Sequence, residues 1–366
     1  MQPTIGVGII GTGNIVGQYL DQLAHQPSTE VVAVADAVTA RAEAVASERG
    51  LRALGVAELL ADEAVDVVLN LTTPPVHAEL NLAAIGAGKH VYCEKPFALG
   101  LAEGLAVLAA AGQAGLRVGC APDTFLGVGL QTTLDALQAG EIGQPFAASA
   151  FWGSPGHERW HPDPQFFYLA GGGPVLDLGP YYLTALVVHL GPVVRVQACT
   201  TTTERPRHVW SGPLEGQPIK VAVPTHATAI LEHQGGAKSS VTLSYELWAH
   251  SNTGLEIYGT EGTLRLPDPN RFADPVWLWQ ATGAQEWVER GFTAGFDGAG
   301  RGIGVAEMGR AIAVGRPHRA SGELAVHVLD VMTAIEASGR EARAIELTTT
   351  VTPPPLVPGG TDVACE

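Results

Sequence analysis

A chain of 366 residues that is 46% hydrophobic can bury a core in each of two domains, which excludes a disordered protein. The formal net charge is −16, from 21 basic and 37 acidic residues, so nucleic acid and anionic membrane surfaces are not expected partners. The cysteines Cys93, Cys120, Cys199 and Cys365 form no C-x-x-C pair and read as reduced thiols of a cytoplasmic protein, neither a disulfide framework nor a zinc site.

Met1 to Ile10 has no basic stretch before its short apolar run, so it reads as a first strand and not as a signal peptide. No apolar run is long enough to span a bilayer. Ile5 to Ile10, Val31 to Ala35, Val65 to Leu71 and His90 to Cys93 are β-branched runs expected as buried strands. Helical spacing separates them, as in Ile15, Val16, Tyr19, Leu20 and Leu23, and Gly50 and Gly88 stand where helices should end. This alternation predicts a doubly wound parallel sheet, an α/β Rossmann domain over residues 1–123.

Near Pro122 the pattern changes, and residues 124–366 are expected to form an α+β domain for substrate binding and oligomerisation. Leu130 to Leu137 reads as a helix ending at Gly140. Ala227, Ala229 and Leu231, then Val241, Leu243 and Tyr245, flank Gly235–Gly236 and predict a hairpin. Leu255 to Ile257 and Gly259 to Leu266 extend it into a large, mainly antiparallel sheet. A last helix, Glu323 to Ala337, precedes a proline-rich segment, Pro353 to Pro358, read as a strap or a frayed tail. An open sheet face would need a cover, so a homodimer or homotetramer is expected.

Gly11–Thr12–Gly13–Asn14–Ile15 follows the first strand and opens the first helix. Gly11 permits the tight turn, and Gly13 lets backbone N–H groups approach a pyrophosphate. The third glycine of G-x-G-x-x-G is displaced, with Val16 at its position and Gly17 one residue late. Asp36 ends the second strand, where a carboxylate accepts from the adenosine ribose and repels a 2′-phosphate. The expected cofactor is NAD, with NADP as the alternative.

Ligands of such sheets sit beyond the carboxyl ends of the strands, which brings Thr72, Thr73, Pro74 and His77, and then Glu94 and Lys95, toward the nicotinamide. Glu94–Lys95–Pro96 resembles the Glu-Lys-Pro signature of the glucose–fructose oxidoreductase/inositol dehydrogenase (Gfo/Idh/MocA) family. Gly171–Gly172–Gly173 through Asp177, Gly179 and Tyr181 is similar to its G-G-G-x-x-x-D-x-G-x-H/Y segment. The resemblance implies that Lys95 is the catalytic lysine, that Lys95–Pro96 is cis, and that Asp177 and Tyr181 complete the site. Many members carry His where this chain has Tyr181, so Tyr181, Lys95 or a neighbouring His stand as alternatives for the base. A nearby ammonium such as Lys95 is expected to lower the phenol's pKa.

Trp160 and His161 lie in a polar and aromatic segment suited to sugar rings, and Asp123 is a further candidate for the cleft. His189, His226, His233 and His327 show no ligand spacing and read as structural, so no metal is expected. The resemblance implies hydride transfer between NAD and a secondary alcohol carbon of a sugar, cyclitol or glycoside. Two other readings stand beside it: glycoside cleavage through a transient keto-sugar, and a dinucleotide-sensing regulator. Retention of Lys95, Asp177 and Tyr181 argues against the regulator.

Overall fold

The computed structural model describes residues 4–360 and Val363; Cys365 and Met1 to Pro3 lie outside these. Six strands, β1 (Ile5–Ile10), β2 (Thr29–Ala35), β3 (Arg52–Ala53), β4 (Val67–Asn70), β5 (His90–Cys93) and β6 (Val118–Cys120), form a parallel sheet in the order β3-β2-β1-β4-β5-β6. β1 and β4 are buried at every position, as strands covered on both faces must be. The crossovers are α1 (Val16–Leu23), α2 (Thr39–Arg49), α3 (Val56–Ala61), α4 (His77–Gly86) and α5 (Leu101–Ala114). Gly50 ends α2 in the left-handed region, φ 68°, which a side chain there would strain. Strand order reverses between β1 and β4, and the crevice at their carboxyl ends is where such sheets hold ligands.

The second sheet has nine strands and is mixed. After α6 (Val128–Gln138) come β7 (Pro145–Gly153), α7 (Gly173–Leu190), β8 (Val193–Thr201), β9 (His226–His233), β10 (Lys238–Ser244), β11 (Leu255–Gly259), β12 (Gly262–Leu266), β13 (Val276–Gln280) and β14 (Val288–Arg290). The expected hairpin is β9–β10, and among the described residues β7–β10 is the one parallel pair of this sheet. Ala227, Ala229 and Leu231 of β9 face inward, while Thr228 and Ile230 are exposed on the open face.

α7 is buried along almost its whole length, because it lies between this sheet and α9 (Gly322–Glu341). α8 (Ile303–Val314) returns to the first sheet and packs on α1, β1 and β2 through Val305, Ala306 and Met308, all fully buried. α9 contacts both layers, touching β6 and α5 on one side and β8 on the other, and β15 (Ile345–Glu346) then pairs with β8. The proline-rich segment is a strap: Val357 is fully buried and its N–H donates to the Gln131 side chain at 2.6 Å. No helix among the described residues is long and apolar enough to cross a membrane.

Two glycine substitutions test this packing in opposite directions. A methyl group at Gly304 would press on the Tyr92 hydroxyl and lie 2.9 Å from Asp123 Cβ, whereas at Gly112, inside α5, it would meet nothing within 4 Å. Gly304→Ala should cost about 1–3 kcal/mol, and Gly112→Ala should gain about 1 kcal/mol, both read from urea denaturation midpoints. Equal midpoints for the two variants would refute the placement of α8.

Candidate functional site

The turn between β1 and α1 is built for a close approach. Gly11 has φ 105° and lies against the backbone of Leu71 and Thr72, where a Cβ would come within 2.6 Å. Gly13 and Asn14 are exposed, and the N–H groups of Gly13, Asn14 and Ile15 donate to no group among the described residues. Three free donors at a helix N-terminus, with open space over Gly13, fit a diphosphate. Asp36 Oδ2 accepts from Thr12 N at 2.8 Å and Thr12 Oγ1 at 3.0 Å, and Oδ1 accepts from Val38 N at 2.8 Å. Burial opposes its charge, but these donors prevail and hold its pKa below the usual value. Asp36 is therefore a fixed anion beside the turn.

Thr72, Thr73 and Pro74 are partly or fully exposed at the end of β4. His77 is not: it is fully buried and does not line the crevice, which corrects the expectation of cofactor contact. Its Nδ1 faces the Pro96 carbonyl at 2.7 Å and its Nε2 the Thr72 carbonyl at 2.9 Å. Two carbonyl acceptors require two N–H donors, so the ring is an imidazolium. Burial disfavours that charge, but the adjacent Cys93 thiol and the two carbonyls outweigh it and raise the pKa to about 9. His77 thus ties the Thr72 loop to the Glu94–Lys95–Pro96 loop, whose Lys95–Pro96 bond is cis. Glu94 is also turned into the protein, accepting from Tyr19 Oη of α1 and from Lys95 N, both at 2.8 Å.

Lys95 reaches across to α7. Its Nζ lies 2.8 Å from Asp177 Oδ1 and 2.9 Å from the Asp177 carbonyl. Pro180, inside α7, has no N–H to offer the Leu176 carbonyl four residues back, which loosens the turn that carries Asp177. The other carboxylate oxygen accepts from His157 Nε2 and from Tyr245 Oη, both at 2.8 Å. Trp160 Nε1 donates to His157 Nδ1 at 3.1 Å, which leaves the His157 proton on Nε2, aimed at Asp177. Burial alone would protonate Asp177, but Lys95 and His157 hold its pKa well below the carboxylate range. Burial likewise works against the Lys95 charge, and Asp177 more than restores it.

Tyr181 sits one turn after Asp177, its ring between two cations: Lys95 Nζ at 5.2 Å and the Arg301 guanidinium at 5.5 Å from the centroid. Its hydroxyl has no hydrogen-bond partner among the described residues. Lys95 pulls the phenol's pKa down as expected, but burial outweighs it and Arg301, and the net shift is upward. At neutral pH this group carries its proton.

Asp123 is fully buried and does not face the cleft; its Oδ2 accepts from Gly302 N and Gly304 N at the start of α8, at 2.8 and 3.0 Å. Its carboxyl is pushed up to about 6, with burial the largest cause. Trp160 is 61% exposed and stands at the mouth with His161, Phe166 and Phe167 in ring contact. His189, His226, His233 and His327 are spent on internal hydrogen bonds, and no metal-holding cluster occurs among the described residues. Sequence reasoning missed His157, Tyr245 and Arg301. His157 lies three residues before Trp160, while Tyr245 and Arg301 carry no local signal.

Residues 5–121 match the oxidoreductase family with an NAD-binding Rossmann fold, GFO/IDH/MocA, and residues 130–265 match the GFO/IDH/MocA C-terminal domain. The chain is 30% identical to D-xylose 1-dehydrogenase (NADP(+)) 2 of Haloferax volcanii, over 93% of this chain and 99% of that one. It is 29% identical to 1,5-anhydro-D-fructose reductase of Ensifer adhaerens, over 70% and 74% of the two chains. An NAD binding oxidoreductase from Klebsiella pneumoniae superposes with a TM-score of 0.81 at 25% identity, over 94% of this chain and 99% of that one.

The His77 imidazolium makes stability depend on pH. Its folded-state pKa is raised from 6.5 to about 9, so its contribution is complete below pH 6.5 and fades as pH rises through 9. His77→Gln should abolish that part of the decline. The check is the urea midpoint of both proteins across this range, and parallel profiles would contradict a charged His77.

Proposed function

The chain belongs to the Gfo/Idh/MocA family of NAD-binding oxidoreductases, and from that premise we propose that it interconverts a secondary alcohol and a ketone on a sugar, cyclitol or glycoside. The observation that carries this reading is the Lys95–Asp177 pair with the free Tyr181 hydroxyl beside it at the crevice. The bound dinucleotide supplies the two-electron chemistry, accepting or returning a hydride at the reacting carbon. Gly13, Asn14 and Ile15 hold its pyrophosphate, and Asp36 its adenosine ribose, which favours NAD over NADP.

Lys95 donates to the substrate oxygen and stabilises negative charge that develops there. Asp177 is saturated by three donors and acts as the anchor that fixes Lys95, not as a base. Tyr181 gives its proton to the oxygen during reduction and takes it back during oxidation. The phenol is protonated at neutral pH, and burial moves its pKa further above that range, so there it is a proton donor. Trp160 offers an exposed ring face for the substrate's apolar side, and His161 packs behind it. The open face of the nine-stranded sheet, with Ile230 48% exposed, supports self-association as a homodimer or homotetramer. The unpaired thiols of Cys93 and Cys120 support a cytoplasmic location.

Lys95→Met removes the ammonium and should lower kcat by at least about 10²-fold, with NAD affinity by calorimetry unchanged. Wild-type turnover in this variant would remove Lys95 from the chemistry.

In the oxidative direction the active form of Tyr181 is the phenolate, so kcat with NAD should climb about tenfold per pH unit between pH 7 and 9. Reduction with NADH should stay level over the same range. Tyr181→Phe should erase the slope, and an oxidative profile already flat in the unmodified protein would dismiss Tyr181 as the proton carrier.

A further inference from the structure

Three loops meet above the mouth of the crevice: residues 154–168 after β7, 202–225 between β8 and β9, and 245–254 after β10. Beneath them lies a buried ionic cluster. Glu158 Oε1 lies 2.5 Å from Arg207 and 3.5 Å from Arg205, and Glu246 lies 2.7 Å from Arg207 and 3.7 Å from Arg205. Two guanidinium groups against two carboxylates leave no net charge. The cluster is a closed fastener that fixes the three loops, and Trp210 N adds a bond to the Glu158 carbonyl at 3.0 Å.

Arg159 is next to Glu158 in sequence but belongs to a different environment. It is exposed, and it makes no ion pair or hydrogen bond among the described residues. Its guanidinium is held between two indoles, 3.9 Å from the Trp210 centroid and 5.2 Å from that of Trp248. Trp210 is 41% exposed and Trp248 63% exposed, and Trp160, adjacent to Arg159, is 61% exposed. Large exposed aromatics gathered around one uncompensated cation are costly to leave in water and mark a binding surface. Stacking on indole faces immobilises the planar fork and leaves its edge donors free, an arrangement matched to a carboxylate. The surface is linked to the reacting centre by a continuous chain: Trp160 donates to His157, His157 to Asp177, and Asp177 holds Lys95.

We propose that Arg159, Trp210 and Trp248 form an outer subsite for the carboxylate end of an acidic carbohydrate, a uronate or glycuronide whose other end reaches Lys95. The inference rests on the carbohydrate reading of the crevice and narrows it to a charged class. The exposed indoles receive the sugar's apolar faces, and the guanidinium receives the carboxylate. In a protein of net charge −16, this cation is what makes an anionic substrate acceptable at the mouth.

The test is calorimetric titration of the NADH-loaded protein with methyl glucuronide, methyl glucoside and glucose 6-phosphate. The glucuronide should bind at least about tenfold tighter than the glucoside. Arg159→Gln should erase that preference, leaving glucoside binding and the melting temperature unchanged, and Lys238→Gln, at the start of β10 and the far end of that strand from Tyr245, should leave all affinities unchanged. Equal binding of glucuronide and glucoside, a preference that survives Arg159→Gln, or tighter binding of the phosphate would each overturn the proposal. Binding is read without turnover, so the two readings fail separately. Glucuronide bound at Arg159 with no hydride transfer would sink the redox reading alone, and turnover of neutral sugars without an acidic preference would sink the subsite alone.

Discussion

A buried ion pair between the two sheets organises everything around it. Lys95 comes from the end of β5 and Asp177 from α7, and their side chains are 18% and 17% exposed. Removing two charges from water is expensive, and the pair stands only if every lone pair and proton is satisfied. That demand explains the surrounding cast. His157 and Tyr245 fill the second oxygen of Asp177, Trp160 sets the proton of His157, and Glu94 holds the lysine's own backbone. His157 and Trp160 come from the loop after β7 and Tyr245 from the loop after β10, so the charge pair draws together segments distant in sequence.

The same competition between burial and neighbours is decided differently at each group. At Asp177 the cationic and hydrogen-bonded partners beat burial, at Asp123 burial beats two backbone donors, and at Tyr181 burial beats two nearby cations. The deciding factor is contact. Lys95 and His157 touch the Asp177 carboxylate directly, whereas at Tyr181 the cations stand over the ring face and not at the oxygen. The two cations do lower the phenol's pKa, but from the ring face they fall short of the cost of burial.

What could be read from the sequence follows from how local its cause was. β1, β2, β4 and β5 of the first sheet and the β9–β10 hairpin declared themselves because periodicity and glycine placement act over a few residues. Lys95, Asp177 and Tyr181 were legible because a short motif fixed each of them. His157 and Tyr245 were not, since they reach Asp177 across 20 and 68 residues and no spacing records such a contact. His77 and Asp123 misled for the opposite reason. Each lies in a segment at the carboxyl edge of the sheet, but its side chain turns inward to satisfy buried backbone groups, a choice set by packing.

The return of α8 to β1 and β2 has a consequence for synthesis. The chain is made from its N-terminus, so β1 and β2 leave the ribosome some three hundred residues before the helix that covers them. During that interval the part of β1 and β2 that α8 will cover, Ile5 and Thr29 among it, lacks that cover and meets solvent or a holdase. The vulnerable period for this protein is therefore the translation of its second half, when a pause would prolong the exposure of the first.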